Sequence, residues 1–524
     1  MVTQIHQIAM IRSATDSTED ESEDDDRRAD EELELSFDSE VFSGKDGTQW
    51  LDITNRFRRG RAQRRNILRV APGVNPNILG QVRSGQHMKA FELFMTQDII
   101  EHIIDCTVTE AHASKRNDFN LSVGDFFKFL ALVIARGVLG CRTARLDSLG
   151  ERKYGPPFFH ETMARNRFRE ILKFLRFDKK SDRATRLQTD KFTMFSHVWG
   201  MFVRNCNSAL RPGENLTIDE QLIPCKTRCR FIQYMPNKPD KFGIKLWALV
   251  DVETKYFLNG FFYLGKDEER DPHNSLSYHV VMKLCQPFSH KGYNITCDNF
   301  FTSLSLAKEL KKKCFSIVGT IRTNRRELPN VSKNDEKFGL HDTKVLRTEG
   351  DVTLSIYQAK KDKKISILST LHNDIEISAC GKKKPETVLF YNKTKCGVDV
   401  FDQMLRKYSV KSCTRRWPVV VFYNMIDIAL LNSWIIYRKA NGVQISRKAF
   451  ILALAEELRG SAAEPQPVLR QTSSKTNSSR RRHQCQINQN CSQNKTVDKC
   501  AECSRFVCGK CSTKKMRICA YCSI

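Results

Sequence analysis

The hydrophobic pattern of the chain changes from helical to strand-like near residue 216. From about Met88 to Asn207, apolar residues recur every three or four positions, as in AFELFMTQDIIEHII and FFKFLALVIARGVLG, the spacing of one face of an α-helix. After Leu216 the chain has short runs rich in β-branched and aromatic residues, bounded by turn-forming residues: LTIDEQ, FGIKLWALVD, KYFLNGFFYLG and YNITCDN. The pattern therefore predicts an all-helical region followed by a sheet.

The second half of the chain alternates strands and helices around a polar segment. A helix, TSLSLAKELKKK, and a buried strand, FSIVGTIR, follow the first strands, which indicates a mixed sheet flanked by helices. Between about Arg322 and Lys384 the chain is polar and Lys-rich with weak strand signals, which is typical of an insertion. From Val388 order returns: GVDVFDQM opens one helix, and Pro418 starts another that runs to about Lys439.

One long apolar stretch, from Val419 to Tyr437, raises the question of a membrane span. Asn424, Asp427 and Asn432 interrupt it where a span would have to bury them unpaired, so a buried helix is predicted instead. The N-terminal residues lack a sustained apolar core, which argues against a secretory signal. We therefore expect a protein inside the cell, with no membrane partner.

Charge is unevenly distributed along the 524 residues. Residues 16–40 hold fourteen acidic side chains against two arginines, so subtracting this local −12 from the total of +26 leaves +38 for the remainder. Such an excess favours a polyanion, because neutralised phosphates release counterions. Residues 1 to about 55 are poor in core-forming residues and are predicted to be disordered. The basic run Arg56–Arg65 is either a solvated arm or one that contacts DNA or directs nuclear import.

Three aspartates lie where strands or helices present side chains at their ends. Asp219 lies within LTIDEQ, Asp298 ends the strand in NITCDNF, and Asp399 opens the helix in GVDVFDQM, with Asp402 one turn later. Mg²⁺ prefers hard oxygen ligands, and two such ions can serve both oxygens of an in-line phosphoryl transfer. Crowded carboxylates repel without a cation, so their convergence would itself indicate a metal. Taken singly, an aspartate at a strand end or helix start is usually a turn former or a helix cap.

Eight of the 19 cysteines lie in the last forty residues, as four pairs. Three pairs have the Cys-x2-Cys spacing, which lets two thiolates reach one tetrahedral Zn²⁺. So short a segment has no other means of burying a core, and disulfides or free thiols are the weaker alternatives inside a cell. We predict two Zn²⁺ sites in a cross-brace, with the first and third pairs on one ion and the second and fourth on the other. The pairs are Cys485 and Cys491, Cys500 and Cys503, Cys508 and Cys511, Cys519 and Cys522.

Blocks of this sequence resemble the piggyBac family of transposases, in that family's order and rough spacing. The first block is LTIDEQLIPCKTRCRFIQYMPNKPDKFGIKLWALVD. The second comprises YNITCDNFFTSLSLAKEL and SIVGTIRTNRRELP, and the third joins YNKTKCGVDVFDQM to RRWPVVVFYNMIDIALLNSWIIY. Together they cover most of residues 88–455.

The resemblance implies a multidomain α+β protein with a ribonuclease H-like catalytic domain. An insertion domain interrupts this domain, an all-helical dimerisation and DNA-binding domain flanks it, and a cysteine-rich zinc module ends the chain. The predicted segments are a disordered acidic head and basic arm (1–87), the helical domain (88–213 and 411–460), the catalytic domain (214–321 and 388–410), the insertion (322–387), a linker (461–482) and the zinc module (483–524).

Carried over position by position, Asp219, Asp298 and Asp399 match the family's catalytic triad, and Asp402 matches an accessory acidic residue. Other matched positions lie near DNA in the family: Lys226, Arg228, Tyr234, Arg322, Arg325 and, beside the active site, Trp417. Explanations without DNA contact are also open: the basic residues are then surface charges, and Trp417 is a core aromatic at a helix start. The family's tail also uses His, and here the first pair is spaced Cys-x5-Cys, so His483 stays an alternative ligand to Cys485 or Cys491.

The implied function is cut-and-paste transposition with Mg²⁺, two ions being expected. Ends are excised through hairpins, and 3′-hydroxyls are joined to TTAA targets. The expected partners are double-stranded DNA, meaning terminal repeats and target, and a second copy of the chain, in the nucleus. Two alternatives remain: a domesticated DNA-binding protein without mobility, and another two-metal nuclease on the same fold.

Overall fold

The structure is a computed structural model in which the chain forms two compact units, Met1–Ser461 and Ala462–Ile524. The described residues are 40–54, 67–236, 238–265, 271–333, 338–379, 381–460, 483–487, 491, 494–499 and 505–511. The acidic run up to residue 39, the basic run Arg56–Arg65 and the predicted linker 461–482 lie outside them.

Helices fill the first part of the larger unit, which confirms the helical period of that region. For example, Ser122 caps one helix by accepting a hydrogen bond from the Asp125 N–H, and Phe126, Phe129 and Leu130 on it are wholly buried. The helices are α1 (Pro76–Val82), α2 (His87–Glu92), α3 (Gln97–Ala113), α4 (Val123–Val138), α5 (Leu146–Leu149), α6 (Pro157–Thr162), α7 (Arg165–Phe174), α8 (Arg183–Thr189) and α9 (Thr193–Ala209).

Thirteen described strands of the larger unit form one large mixed sheet and one small ladder. They are β1 (Val41–Ser43), β2 (Gln49–Asp52), β3 (Gly73–Val74), β4 (Leu210–Arg211), β5 (Asn215–Pro224), β6 (Ile232–Tyr234), β7 (Phe242–Asp251), β8 (Phe257–Phe262), β9 (Asn294–Cys297), β10 (Ser316–Thr320), β11 (Thr343–Thr348), β12 (Val352–Lys360) and β13 (Lys363–Ser369). β3 and β4 pair only with each other, and the other eleven strands belong to the large sheet.

The centre of the large sheet is parallel and its flanks are antiparallel. The strand order is β1-β2-β11-β12-β13-β10-β9-β5-β7-β6, with β8 also paired to β7. β9 runs parallel to both β5 and β10, whereas the remaining pairs are antiparallel. Because carboxyl ends of parallel strands share one edge, residues that follow β9 lie beside the middle of the longer β5.

Six further helices follow or interrupt the strands of the sheet. They are α10 (Leu276–Cys285), α11 (Leu304–Lys312), α12 (Glu386–Thr394), α13 (Gly397–Lys407), α14 (Trp417–Asn441) and α15 (Arg447–Arg459). Among the described residues, α14 alone is long and apolar enough to cross a membrane, and 94% of its apolar window is buried inside the fold. The predicted buried helix is therefore what the structure contains.

The predicted disordered head is wrong for residues 40–54 and 67–87, which form ordered elements. β2 pairs with β11, almost 300 residues away in sequence, and Trp50 is wholly buried there. The Trp50 indole N–H donates to the Glu327 carbonyl at 2.8 Å. This segment is poor in apolar residues but is ordered because its Trp50 is buried and its strand β2 pairs with a distant part of the chain.

Strands of the predicted insertion continue the large sheet. β13 pairs with β10, and β12 and β11 follow it outward. The weak strand signals between Arg322 and Lys384 therefore belong to three strands of 6, 9 and 7 residues.

The smaller unit has little regular structure in its described residues. Its strands β14 (His483–Gln484) and β15 (Lys495–Thr496) form one antiparallel pair. Its buried apolar cluster consists of Cys485, Ile487, Val507 and Cys508. A core of this size is too small to stabilise a fold without a metal or a cross-link.

Candidate active site and cysteine cluster

Asp219 in β5 lies beside Asp298, which directly follows the neighbouring parallel strand β9. In the register of β5 and β9, Ile218 is opposite Cys297, so the next residue on each chain is one of the two aspartates. Neighbouring strands are about 4.8 Å apart. Burial raises the pKa of Asp219 well above its usual range, and the negative charges of Glu220 and Asp298 raise it further. The two carboxylates therefore repel each other in a partly desolvated position.

The surroundings of Asp298 moderate this repulsion only in part. Burial raises the pKa of Asp298, and the charge of Glu220 adds to the shift. Three features lower this pKa: the Phe300 N–H donates to Asp298 Oδ1 at 2.9 Å, the Phe301 N–H also donates to the carboxylate, and the positive charge of Arg322 favours the ionised form.

Residue-by-residue reading of the sequence missed Glu220 and two lysines at this site. Lys238 Nζ lies 3.8 Å from Glu220 Oε1 and 3.7 Å from Asp399 Oδ1, and it donates to the Glu220 carbonyl at 3.4 Å. Lys245 Nζ lies 3.8 Å from the centre of the Trp247 ring. Burial lowers the pKa of Lys245, although Glu220, Asp219 and Asp298 act to raise it. Glu220 could have been found from its place beside Asp219, but the lysines lie on other segments and meet it only through folding.

Asp399 reaches the site because α13 begins directly against β5. A Cβ added to Gly397, the first residue of α13, would lie 2.1 Å from Thr217 Cγ2. Only glycine therefore permits this approach without a shift of the helix or strand. Asp399 follows in the first helical turn, and its side chain is 66% exposed.

Asp402 is held by protein donors on both carboxylate oxygens. Gln221 Nε2 donates to Oδ1 at 2.8 Å, and Arg406 Nε donates to Oδ2 at 2.9 Å. Arg406 also binds Asp240 at 2.7 Å. Asp402 thus links α13 to β5 and to the loop before β7, and its geometry is that of a residue that positions the helix.

The carboxylates form a loose site. Asp219, Glu220 and Asp298 repel one another electrostatically, and Lys238 forms ion pairs with both Glu220 and Asp399. Within the described part of the chain, the metal-ligand groups whose atoms lie within 4.8 Å of one another include cysteines only. The oxygens of the three predicted catalytic aspartates are therefore more widely spaced than that. Their donor chemistry nevertheless fits a hard divalent cation, whose charge would relieve the repulsion.

Most of the residues predicted to contact DNA are accessible. Lys226 and Arg228 are exposed on the loop after β5, and Tyr234 at the end of β6 is 58% exposed. Arg322 is exposed beside the carboxylates: its Nε donates to Asn299 Oδ1 at 3.5 Å, and its guanidinium lies 5.7 Å from the Phe300 ring. Arg325, three residues later, is half-buried.

Trp417 is a core residue, so the prediction that it contacts DNA is not supported by its position. Its side chain is buried at the start of α14, with 7% exposure. It stacks on Phe192 at 5.4 Å between ring centres and meets Phe231 edge-on at 5.1 Å. The alternative of a core aromatic at a helix start describes it correctly.

Four cysteines of the tail converge on one point. The sulfurs of Cys485, Cys491, Cys508 and Cys511 all lie within 4.8 Å of one another, and those of Cys491 and Cys508 are 3.5 Å apart. These residues are the first and third of the predicted pairs, the combination expected for one ion of a cross-brace. Four thiolates at this spacing suit a tetrahedral metal such as Zn²⁺.

The other predicted zinc ligands of the tail are either outside this cluster or outside the described residues. His483 is outside the cluster, with its ring stacked on Phe506 at 4.2 Å, and both cysteines that it could have replaced are inside. The second and fourth pairs lie outside the described residues: Cys500, Cys503, Cys519 and Cys522.

Comparisons with known proteins agree on one family. The family model described as Transposase IS4 matches residues 87–434. The human PiggyBac transposable element-derived protein 3 is 22% identical over 366 residues, which span 66% of this chain and 60% of that protein. The human Chimeric ERCC6-PGBD3 protein is also 22% identical over 366 residues, and the match spans 34% of its length. The chain thus matches less than two thirds of either human protein.

Among solved structures, the chain is similar to one described as the cryo-EM structure of the piggyBac transposase synaptic complex with hairpin DNA. The TM-score is 0.70 at 30% sequence identity, and the match covers 86% of this chain and all of that one.

Proposed function

The chain belongs to the Transposase IS4 family and is of the piggyBac type, and from this premise we propose that it is a cut-and-paste DNA transposase. It cleaves transposon ends through hairpin intermediates and joins the 3′-hydroxyls to TTAA targets. The observation that carries the proposal is the placement of Asp219 and Asp298 on adjacent parallel strands, with Gly397 holding the helix of Asp399 against the same β5 strand. We assign these strands to the ribonuclease H-like fold.

The proposed cofactor of this site is Mg²⁺, held by Asp219, Asp298 and Asp399. When bound, a pair of such ions activates the attacking oxygen and stabilises the leaving oxygen of a phosphoryl transfer. Three carboxylates suit this hard cation: burial raises the pKa of Asp219 and Asp298, and Asp399 is exposed to solvent. No nucleophilic side chain is required, because water or a DNA hydroxyl attacks phosphorus.

The residues around the carboxylates have separate proposed tasks. Asp402 keeps α13 in register with β5 through Gln221. Arg322, next to Asp298, supplies a positive charge for a phosphate at the site, as arginine does well. Lys226, Arg228 and Arg325 contact the DNA backbone nearby, and such contacts position the duplex.

The proposed partners extend beyond the catalytic site. We propose that the chain works as a homodimer in the nucleus on double-stranded DNA. Its cysteine module holds two Zn²⁺ and recognises the terminal repeats, with one ion on Cys485, Cys491, Cys508 and Cys511 and the other on the remaining two pairs. The net positive charge outside the acidic run supports binding to DNA phosphates.

The test is a reaction of purified full-length protein with a TTAA-flanked element in Mg²⁺. Denaturing gels should show nicks at the element's ends, then hairpins, and then joined products in TTAA-containing targets. Flanks changed from TTAA serve as the control substrate. Cleavage without hairpins or joining would indicate a different nuclease on the same fold and would reject the transposase proposal.

A domesticated, non-cutting DNA-binding protein is the second candidate. It is favoured by the similarity to a human protein whose name describes it as transposable element-derived. The same reaction separates the two candidates, since a domesticated protein would bind DNA but leave its strands intact at every Mg²⁺ concentration.

A further inference from the structure

Two large aromatic side chains lie exposed and in contact at the end of the β6–β7 hairpin. Tyr234 is 58% exposed and Phe242 is 50% exposed. They are direct cross-strand partners, and their ring centres are 4.9 Å apart with a 43° angle between the planes. In the described part of the chain the other exposed aromatic is Tyr154, which has no such ring partner.

Two exposed lysines adjoin this aromatic pair along the backbone. The Cys225 N–H donates to the Phe242 carbonyl at 3.2 Å, which brings the exposed Lys226 beside the pair. Lys241 is exposed and directly precedes Phe242. The nearest acidic residue along this hairpin, Asp240, is neutralised by Arg406 at 2.7 Å. The surface is therefore aromatic and positively charged, and it complements a polyanion that also offers flat apolar faces.

Phe242, at the start of β7, lies beside the end of β5, the strand that carries Asp219. Phe242 precedes Gly243, which is opposite Pro224 at the end of β5. Pro224 is five residues beyond Asp219, or about 16 Å at about 3.3 Å per strand residue. A DNA strand that places a phosphate at the carboxylates could therefore reach the pair within a few nucleotides.

We propose that Tyr234 and Phe242 form a stacking platform for an unpaired base of the DNA end. The inference rests on the proposed function and adds the state of the DNA that this surface recognises. Bases inside a duplex are already stacked on both faces, so an aromatic platform selects bases that are flipped out or single-stranded. The basic residues hold the adjoining phosphates, and the rings hold the base.

The test measures stacking directly, with full-length protein loaded with zinc and with no Mg²⁺ present. The probes are a DNA hairpin with 2-aminopurine in its unpaired loop and a blunt duplex of the same stem sequence. Stacking on the rings should quench 2-aminopurine fluorescence. The variant Tyr234→Ala, Phe242→Ala should lose this quenching and bind the hairpin about tenfold more weakly, as expected for loss of base stacking, while duplex affinity stays within about twofold.

Two control variants make the result specific. Tyr234→Phe, Phe242→Tyr keeps both rings and should keep the quenching. Tyr154→Ala removes a still more exposed tyrosine beside a lysine elsewhere and should change the signal of neither probe. Unchanged quenching in the double alanine variant would overturn the proposal, and so would an equal loss of hairpin and duplex binding. If wild-type protein cleaves element ends yet shows no quenching, the platform fails and the proposed function stands. If it neither binds nor cleaves DNA, the proposed function fails as well.

Discussion

The carboxylate site joins side chains from Asp219 to Asp399, whereas the cysteine cluster joins side chains from Cys485 to Cys511 only, and different forces hold the two sites. Asp219 and Asp298 extend from strands whose preceding residues, Ile218 and Cys297, are almost wholly buried in the main core. The cysteine cluster has only Ile487 and Val507 as further buried apolar residues in its described part. A large core positions the carboxylates, whereas the cysteines largely form their own core.

This difference determines what a metal does in each place. In the sheet, hydrophobic burial brings the carboxylates together against their repulsion, so the metal relieves a cost that the fold already carries. In the tail, little apolar surface is buried, so metal binding supplies the folding free energy. We therefore expect mutations of the carboxylate ligands to remove chemistry and mutations of the cysteine ligands to remove structure.

The largest effect is expected from Asp219→Ala, Asp298→Ala or Asp399→Ala. Each should reduce strand cleavage by about three orders of magnitude or more, as a loss of about 4 kcal/mol of transition-state stabilisation would. DNA affinity and the melting temperature should stay near wild type, because the core still holds the strands. Cleavage gels, filter binding and calorimetry measure these three properties. Glu92→Ala, which removes a surface ion pair with Lys89, is the matched control. If an aspartate variant cleaves as fast as this control, that aspartate is not a metal ligand.

A cysteine variant should show the opposite pattern. Cys508→Ser should release one zinc ion per chain and make residues near 483–511 sensitive to protease, while the core melts as in wild type. Recognition of terminal repeats should fall more than non-specific DNA binding, which charge supports. Zinc content, limited proteolysis and competition binding test this. Cys413→Ser, at an exposed free cysteine of the larger unit, should change none of them, and full zinc content in Cys508→Ser would contradict the assignment.

The same small substitution should act differently in the two regions. Gly397→Ala forces a methyl group into Thr217 and should cost about 1–3 kcal/mol of stability, as overpacking does, and lower cleavage about tenfold or more by moving Asp399. Gly509→Ala in the tail meets no atom within 4 Å and should keep zinc content and stability. Adding Thr217→Ser to Gly397→Ala removes Cγ2 and should restore activity. Thermal melts and cleavage rates decide the outcome, and a fully active Gly397→Ala would show that α13 does not need this contact.

The smallest effect is a change in pH dependence without metal. The pKa of Asp219 is raised in the folded state, so its contribution to stability is present below about pH 4 and is lost as pH rises through the folded pKa. In EDTA, Asp219→Asn should therefore melt about 1–3 °C above wild type at pH 7–8, since 1 kcal/mol corresponds to about 2–4 °C. This gain should disappear toward pH 4. If the melting temperatures of the two proteins differed by the same amount at every pH, the ionised Asp219 carboxylate would not destabilise the folded state.

Local features of the fold and site could be predicted because they depend on neighbours in sequence. The strand around Asp219, the strand that Asp298 follows and the first-turn position of Asp399 result from periodicity and turn residues over a few positions. The close pairs of the cysteine tail follow from the same kind of local spacing. The position of α14 as a buried helix was also predictable, because Asn424, Asp427 and Asn432 interrupt its apolar run and would be costly to bury unpaired in a membrane.

Contacts between segments far apart in the chain depend on the tertiary structure alone. By itself, the sequence determined that Asp219 and Asp298 end up near strands, but the parallel register of β5 and β9 made them neighbours. Lys238 at Asp399, Trp417 in the core and Trp50 beside Glu327 likewise depend on how separate elements pack. Sequence periodicity predicts which face of a helix or strand is apolar, whereas the packing of the whole core determines which other element that face contacts.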